Sequence, residues 1–87
     1  ILAVTDREIL AAYRRVAGEG LFAELASSAS VAGLLKLSGE GRLDRGSIVV
    51  CILTGHGLKE PDWAISRVGP PSQVAPDADA VAAELGL

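Results

Sequence analysis

The chain has 87 residues, room for one small domain, and at that size folding buries only about 60–65% of the surface that the unfolded chain exposes. Its net charge of −3, with acids and bases interspersed, excludes the basic stripe that a nucleic-acid backbone demands. No apolar run approaches the roughly 20 residues that span a bilayer, and the lone Cys51 excludes a disulfide framework and a cysteine zinc site.

Residues 1–4, "ILAV", predict a short buried strand. The "TDRE" that follows is a capping box, in which the Thr5 hydroxyl accepts from the amide of Glu8 and the Glu8 carboxylate reaches back to the amide of Thr5. Val4 and Ile9 stand where a hydrophobic staple belongs. Ile9, Leu10, Tyr13, Val16 and Ala17 then share one helical face, and Gly18 and Gly20 stop the helix. "LFAE", residues 21–24, predicts a second strand. Ser27 or Ser28 caps the next helix, whose face is Val31, Leu34, Leu35 and Ser38 and which Gly39 ends. After the polar loop "GEGRLDRG", residues 47–53, "SIVVCIL", form the clearest strand, continuously apolar and rich in branched residues, as a strand covered on both faces should be. Pro61 opens a short helix in "EPDWAIS", "VGPPSQVAP" is an extended loop, and a last helix is capped by Asp77 or Asp79.

Each crossover exceeds the dozen or so residues that a parallel return needs. The order therefore predicts an α/β fold, a partial parallel β-sheet flanked by helices with right-handed connections. The chain contains no Met and begins inside an apolar run. Both features predict that residues 1–87 are a single segment of a longer protein. Cys51 reads as a buried, inert thiol.

Ligands of open α/β sheets bind where the strands end. Thr54, Gly55, His56 and Gly57 stand at such an end, and the two glycines suit either a plain tight turn or a close approach to a ligand. His56 is the only histidine, and the sequence names no partner to orient it as a general base, so it reads as a turn residue or pocket wall. Lys59, next to Glu60 and close to Asp62, reads as solvated or salt-bridged. Ser27, Ser28 and Ser30 offer either ordinary capping or an anion site at a helix N-terminus. Glu24 reads as a loop carboxylate. No metal site is expected.

Two stretches, "LFAELASSASVAGLLKL" and "IVVCILTGHGLKEPDWA", together resemble the C-terminal part of the threonine synthase family. These are pyridoxal 5'-phosphate enzymes of the tryptophan-synthase-β-like fold, called fold type II. The family patterns read Glu-Pro-Ala-Ser-Ala-Ala-Ser and Thr-Gly-His/Asn-Gly-Leu-Lys-Asp-Pro, and the resemblance is weakest after Gly69. It implies that Thr54 hydrogen-bonds the pyridine nitrogen of the cofactor. Unlike an aspartate, a hydroxyl does not hold that nitrogen protonated, so the ring is a weaker electron sink. Gly55, Glu24 and Ser27 would lie beside the cofactor's edge. Two residues depart from the pattern: Leu25 stands where proline is usual and Ser28 where alanine is usual.

The resemblance also implies an activity, conversion of O-phospho-L-homoserine and water to L-threonine and phosphate. The Schiff-base lysine, the glycine loop that cradles phosphate and the substrate-phosphate binders of the family lie upstream of these residues. No catalytic residue is therefore expected in this segment, and alone it should be inactive. Its expected partners are the remainder of its own chain, O-phosphohomoserine and a second subunit in a homodimer, in the cytoplasm, without nucleic acid or membrane. Another fold-type-II enzyme, such as a threonine or serine dehydratase, is the near alternative. A non-catalytic α/β module that binds an anion is the distant one.

Overall fold

The computed structural model describes residues 1–87 and is built from four helices. The first, α1 (Asp6–Gly18), starts where the capping box places it. The Thr5 amide donates to Glu8 Oε2 at 2.7 Å, and the Glu8 amide donates to Thr5 Oγ1 at 3.3 Å. The hydrogen bond from the Thr5 amide, then that from its hydroxyl, hold the Glu8 carboxyl below the ordinary glutamate pKa. Past α1 the backbone turns on Gly20, whose φ of 86° is the left-handed region that glycine occupies without strain.

A 3-10 turn (Ala26–Ser28) leads into α2 (Ala29–Gly39), which lies against α1. Ala12 and Val16 of α1 and Ala32 of α2 are buried between them. The α1 face is the expected one with Ala12 at its centre, whereas Ala17 is exposed. On α2, residues 31–37 are all at least partly covered, so no single face separates from the rest. A helix that is apolar nearly all round is one that neighbours cover on several sides. Leu2 nests on Gly33, where an added Cβ would sit 3.4 Å from the leucine methyl. Lys36 Nζ donates to the Ala3 carbonyl at 3.0 Å and pairs with Glu8 at 3.6 Å, joining the chain start to both helices.

A second 3-10 turn (Gly57–Lys59) precedes α3 (Pro61–Val68), which Pro61 opens as expected. Trp63 of α3 meets Tyr13 of α1 edge to face at 5.3 Å, and the Arg67 guanidinium lies 5.1 Å from the Trp63 ring centre. The last helix, α4 (Ala78–Glu84), is capped by the Asp77 carboxylate, not by Asp79, and touches no other element.

The expected parallel sheet is absent. Residues 1–4 and 47–53 form no strand, and residues 48–53 make no backbone–backbone hydrogen bond. Residues 21–24 contribute one bridge, Ala23 to His56, and it is antiparallel. A strand exists only beside a hydrogen-bonding neighbour, and residues 47–53 have a helix, α2, on one side and solvent on the other. The alternation of a strand nevertheless survives. Ile48, Val50 and Ile52 are 93%, 81% and 70% exposed, while Cys51 and Leu53 between and after them are partly covered. Cys51 is accordingly half-buried, not fully enclosed. Only seven residues are buried, and the radius of gyration is 17.4 Å against about 12 Å for a compact chain of this length.

Candidate functional site

The site grows from two short contacts between distant parts of the chain. The Glu24 amide donates to the Gly55 carbonyl at 2.9 Å, and the Gly57 amide donates to the Phe22 carbonyl at 2.9 Å. These bonds lay residues 22–24 across residues 55–57. Gly57 is needed there, because a Cβ on it would land in the Phe22 ring; a Cβ on Gly55 would displace the Glu24 carboxylate. Phe22 also meets His56 edge to face at 5.8 Å.

Beside that crossing lies a pair of hydroxyls. Ser27 Oγ accepts from the Gly55 amide at 2.7 Å and sits 3.0 Å from Thr54 Oγ1. The four residues singled out from the sequence, Glu24, Ser27, Thr54 and Gly55, thus form one contiguous cluster. Ser27 is buried and Thr54 is exposed, on the wall of an open cleft of about 480 Å³ that Phe22, Leu53 and His56 also line. Two hydroxyls that share one hydrogen bond have a second proton to direct elsewhere. When Ser27 donates to Thr54, the Thr54 proton is free to point into the cleft.

The capping reading of the serines does not hold. Neither Ser27 nor Ser28 caps α2 with its side chain. Ser27 is inside the 3-10 turn and turns across the structure instead. Ser30 Oγ lies 3.2 Å from the Ile52 carbonyl and 3.3 Å from that of Ser27, tying α2 to the segment before Thr54. Ser28 is fully buried and its hydroxyl has no partner. Sequence reasoning missed the pairing of Ser30 because the carbonyl it reaches is 22 residues away.

His56 acts as a turn residue. Its Nδ1 accepts from the Leu58 amide at 3.1 Å and so caps the 3-10 turn that carries Lys59. Lys59 Nζ bonds Glu24 Oε2 at 3.0 Å, the salt-bridged role expected of it. Leu25, in place of the usual proline, has φ −54°, inside the range that proline itself imposes. The backbone after Glu24 therefore keeps the path a proline would fix.

Residues 1–55 match the family described as "Pyridoxal-phosphate dependent enzyme", and the chain belongs to that family. Among its relatives, a threonine synthase of Mycobacterium leprae is 56% identical over 87 residues, covering 99% of this chain and 24% of that protein. A threonine synthase of Synechocystis sp. is 50% identical over 87 residues, 97% of this chain and 22% of that protein. One of Methanocaldococcus jannaschii is 51% identical over 76 residues, 86% of this chain and 19% of that protein. The chain thus spans about a quarter of the length of the curated relatives it matches.

The donor set fits the family's cofactor. A pyridine nitrogen is a neutral acceptor, and a hydroxyl with a spare proton on a partly apolar wall is a suitable donor to it.

Proposed function

We propose that this chain is the C-terminal part of a threonine synthase, which converts O-phospho-L-homoserine and water to L-threonine and phosphate. When bound, pyridoxal phosphate supplies an electron-withdrawing ring that stabilises charge developing on the substrate carbons. This chain's contribution is to hold the ring at its nitrogen. Thr54 donates its hydroxyl proton to that nitrogen. Ser27 steadies the Thr54 hydroxyl: its oxygen accepts from the Gly55 amide, and when its own proton goes to Thr54 the Thr54 proton is free for the nitrogen. Being neutral, the Thr54 hydroxyl orients the ring without charging it.

The observation that carries this reading is the Ser27–Thr54 pair at 3.0 Å, closed by the Gly55 amide at 2.7 Å, in a chain half identical to threonine synthases. The alternating exposure of residues 48, 50 and 52 supports a further part of the proposal, that residues 47–53 join a parallel sheet supplied by the rest of the enzyme. A homodimer and a cytoplasmic location belong to the same proposal. No helix here is long and apolar enough to cross a membrane.

The test is made on the full-length enzyme carrying this segment. Thr54→Ala is expected to lower kcat/KM for phosphohomoserine by about 10- to 100-fold, the worth of one buried hydrogen bond, with the cofactor still bound. Unchanged kinetics would remove Thr54 from the role given to it. Release of phosphate from phosphohomoserine, and not of ammonia from threonine, separates a synthase from a dehydratase.

A further inference from the structure

Glu24 packs against Gly55, the residue that follows Thr54. Its carboxylate occupies the space that a Cβ on Gly55 would fill, its amide is bonded to the Gly55 carbonyl, and its side chain is only 17% exposed. A carboxylate so covered needs a cation or a donor. The cation is Lys59, at 3.0 Å, delivered by the 3-10 turn that His56 caps. Without Lys59, an unpaired negative charge would stand against Gly55, the residue after Thr54. It would also favour a proton on any pyridine nitrogen that Thr54 holds.

We propose that Lys59 is a positioning residue: it neutralises Glu24 and holds it against Gly55, so that Thr54 presents an uncharged hydroxyl to the cofactor nitrogen. This rests on the cofactor reading of Thr54 given above. The pair is half in solvent, since Lys59 is 63% exposed. Such pairs stabilise a fold little, so the consequence of losing it is local and electrostatic. A carboxylate freed of its partner shifts a neighbouring protonation equilibrium on the order of tenfold at the effective dielectric of a protein surface.

The experiment compares four variants of the full-length holoenzyme by the absorbance spectrum of the bound cofactor, and of the cofactor-free protein by hydrogen exchange at the Gly55 amide. Lys59→Gln should shift the spectrum toward the ring-protonated form and leave Gly55 exchange, which the Ser27 hydroxyl protects, near the parent rate. Lys59→Arg should leave both as in the parent. Adding Glu24→Gln to Lys59→Gln, which removes the unpaired charge, should return the spectrum. The inference is overturned if Lys59→Gln leaves the spectrum unchanged, or if the double variant stays as shifted as the single one. Thr54→Ala run alongside separates the two ideas. If it lowers turnover while Lys59→Gln is silent, only the Lys59 inference fails; if it leaves turnover untouched, the cofactor reading fails with it.

Discussion

At the scale of single residues, the cluster shows what a local reading reaches and what it does not. The Thr5–Glu8 box was legible because donor and acceptor lie three residues apart and the helix itself sets their distance. The partner of Ser27 was not, because Thr54 lies 27 residues on and nothing in the intervening sequence fixes the meeting. Only the resemblance of two separated motifs put Ser27, Glu24 and Thr54 in one place. Ser28 marks the cost of departing from the family pattern. Its hydroxyl is enclosed and unpaired where the pattern it resembles has alanine. An unsatisfied buried donor costs about 1–3 kcal/mol, so Ser28→Ala in the full-length enzyme carrying this segment should raise stability by about 1 kcal/mol, read as a higher denaturant midpoint with unchanged slope. A lower midpoint would mean that the hydroxyl finds a partner in the whole enzyme.

At the scale of elements, helices were legible and strands were not, for a physical reason. The bonds that make α1, α3 and α4 run within each segment, and the signals that start them (the Thr5 and Asp77 caps and Pro61 in the first turn of α3) are local as well. The bonds that make a strand belong to its neighbour. Residues 47–53 carry the composition of a strand but have no neighbour to pair with, so they keep the alternation without the ladder. The capping box also gives α1 a pH dependence. Because the Thr5 amide and hydroxyl depress the Glu8 pKa in the folded helix, this contribution is complete above the ordinary glutamate range and is lost as the pH falls through the depressed value. Circular dichroism between pH 6 and about 2 should show the start of α1 loosening in acid, and Glu8→Gln, whose amide oxygen still accepts from the Thr5 amide, should remove that step and leave α1 formed at neutral pH.

At the scale of the whole molecule, the dominant fact is how little is enclosed. With seven buried residues and a row of exposed Ile48, Val50 and Ile52, the chain leaves many of its large apolar side chains in water. At roughly 25 cal/mol per Å² of apolar surface buried, so small a core offsets only part of the conformational entropy lost on ordering the chain. The 87-residue chain on its own should therefore melt without a sharp transition, bind hydrophobic dyes and associate as its concentration rises. Added pyridoxal phosphate should give no bound-cofactor absorbance. A sharp, cooperative melt of a monomer would contradict this. The detachment of α4 carries a different consequence. It is joined to the rest through residues 69–77, which include three prolines, and it touches no other helix or turn of this chain. A linker of that kind absorbs changes of length. Residues inserted or deleted there would alter where α4 travels and leave Ser27, Thr54 and Gly55 undisturbed. The stretch between α3 and α4 is accordingly where a tag, a reporter or an evolutionary insertion is accommodated most readily.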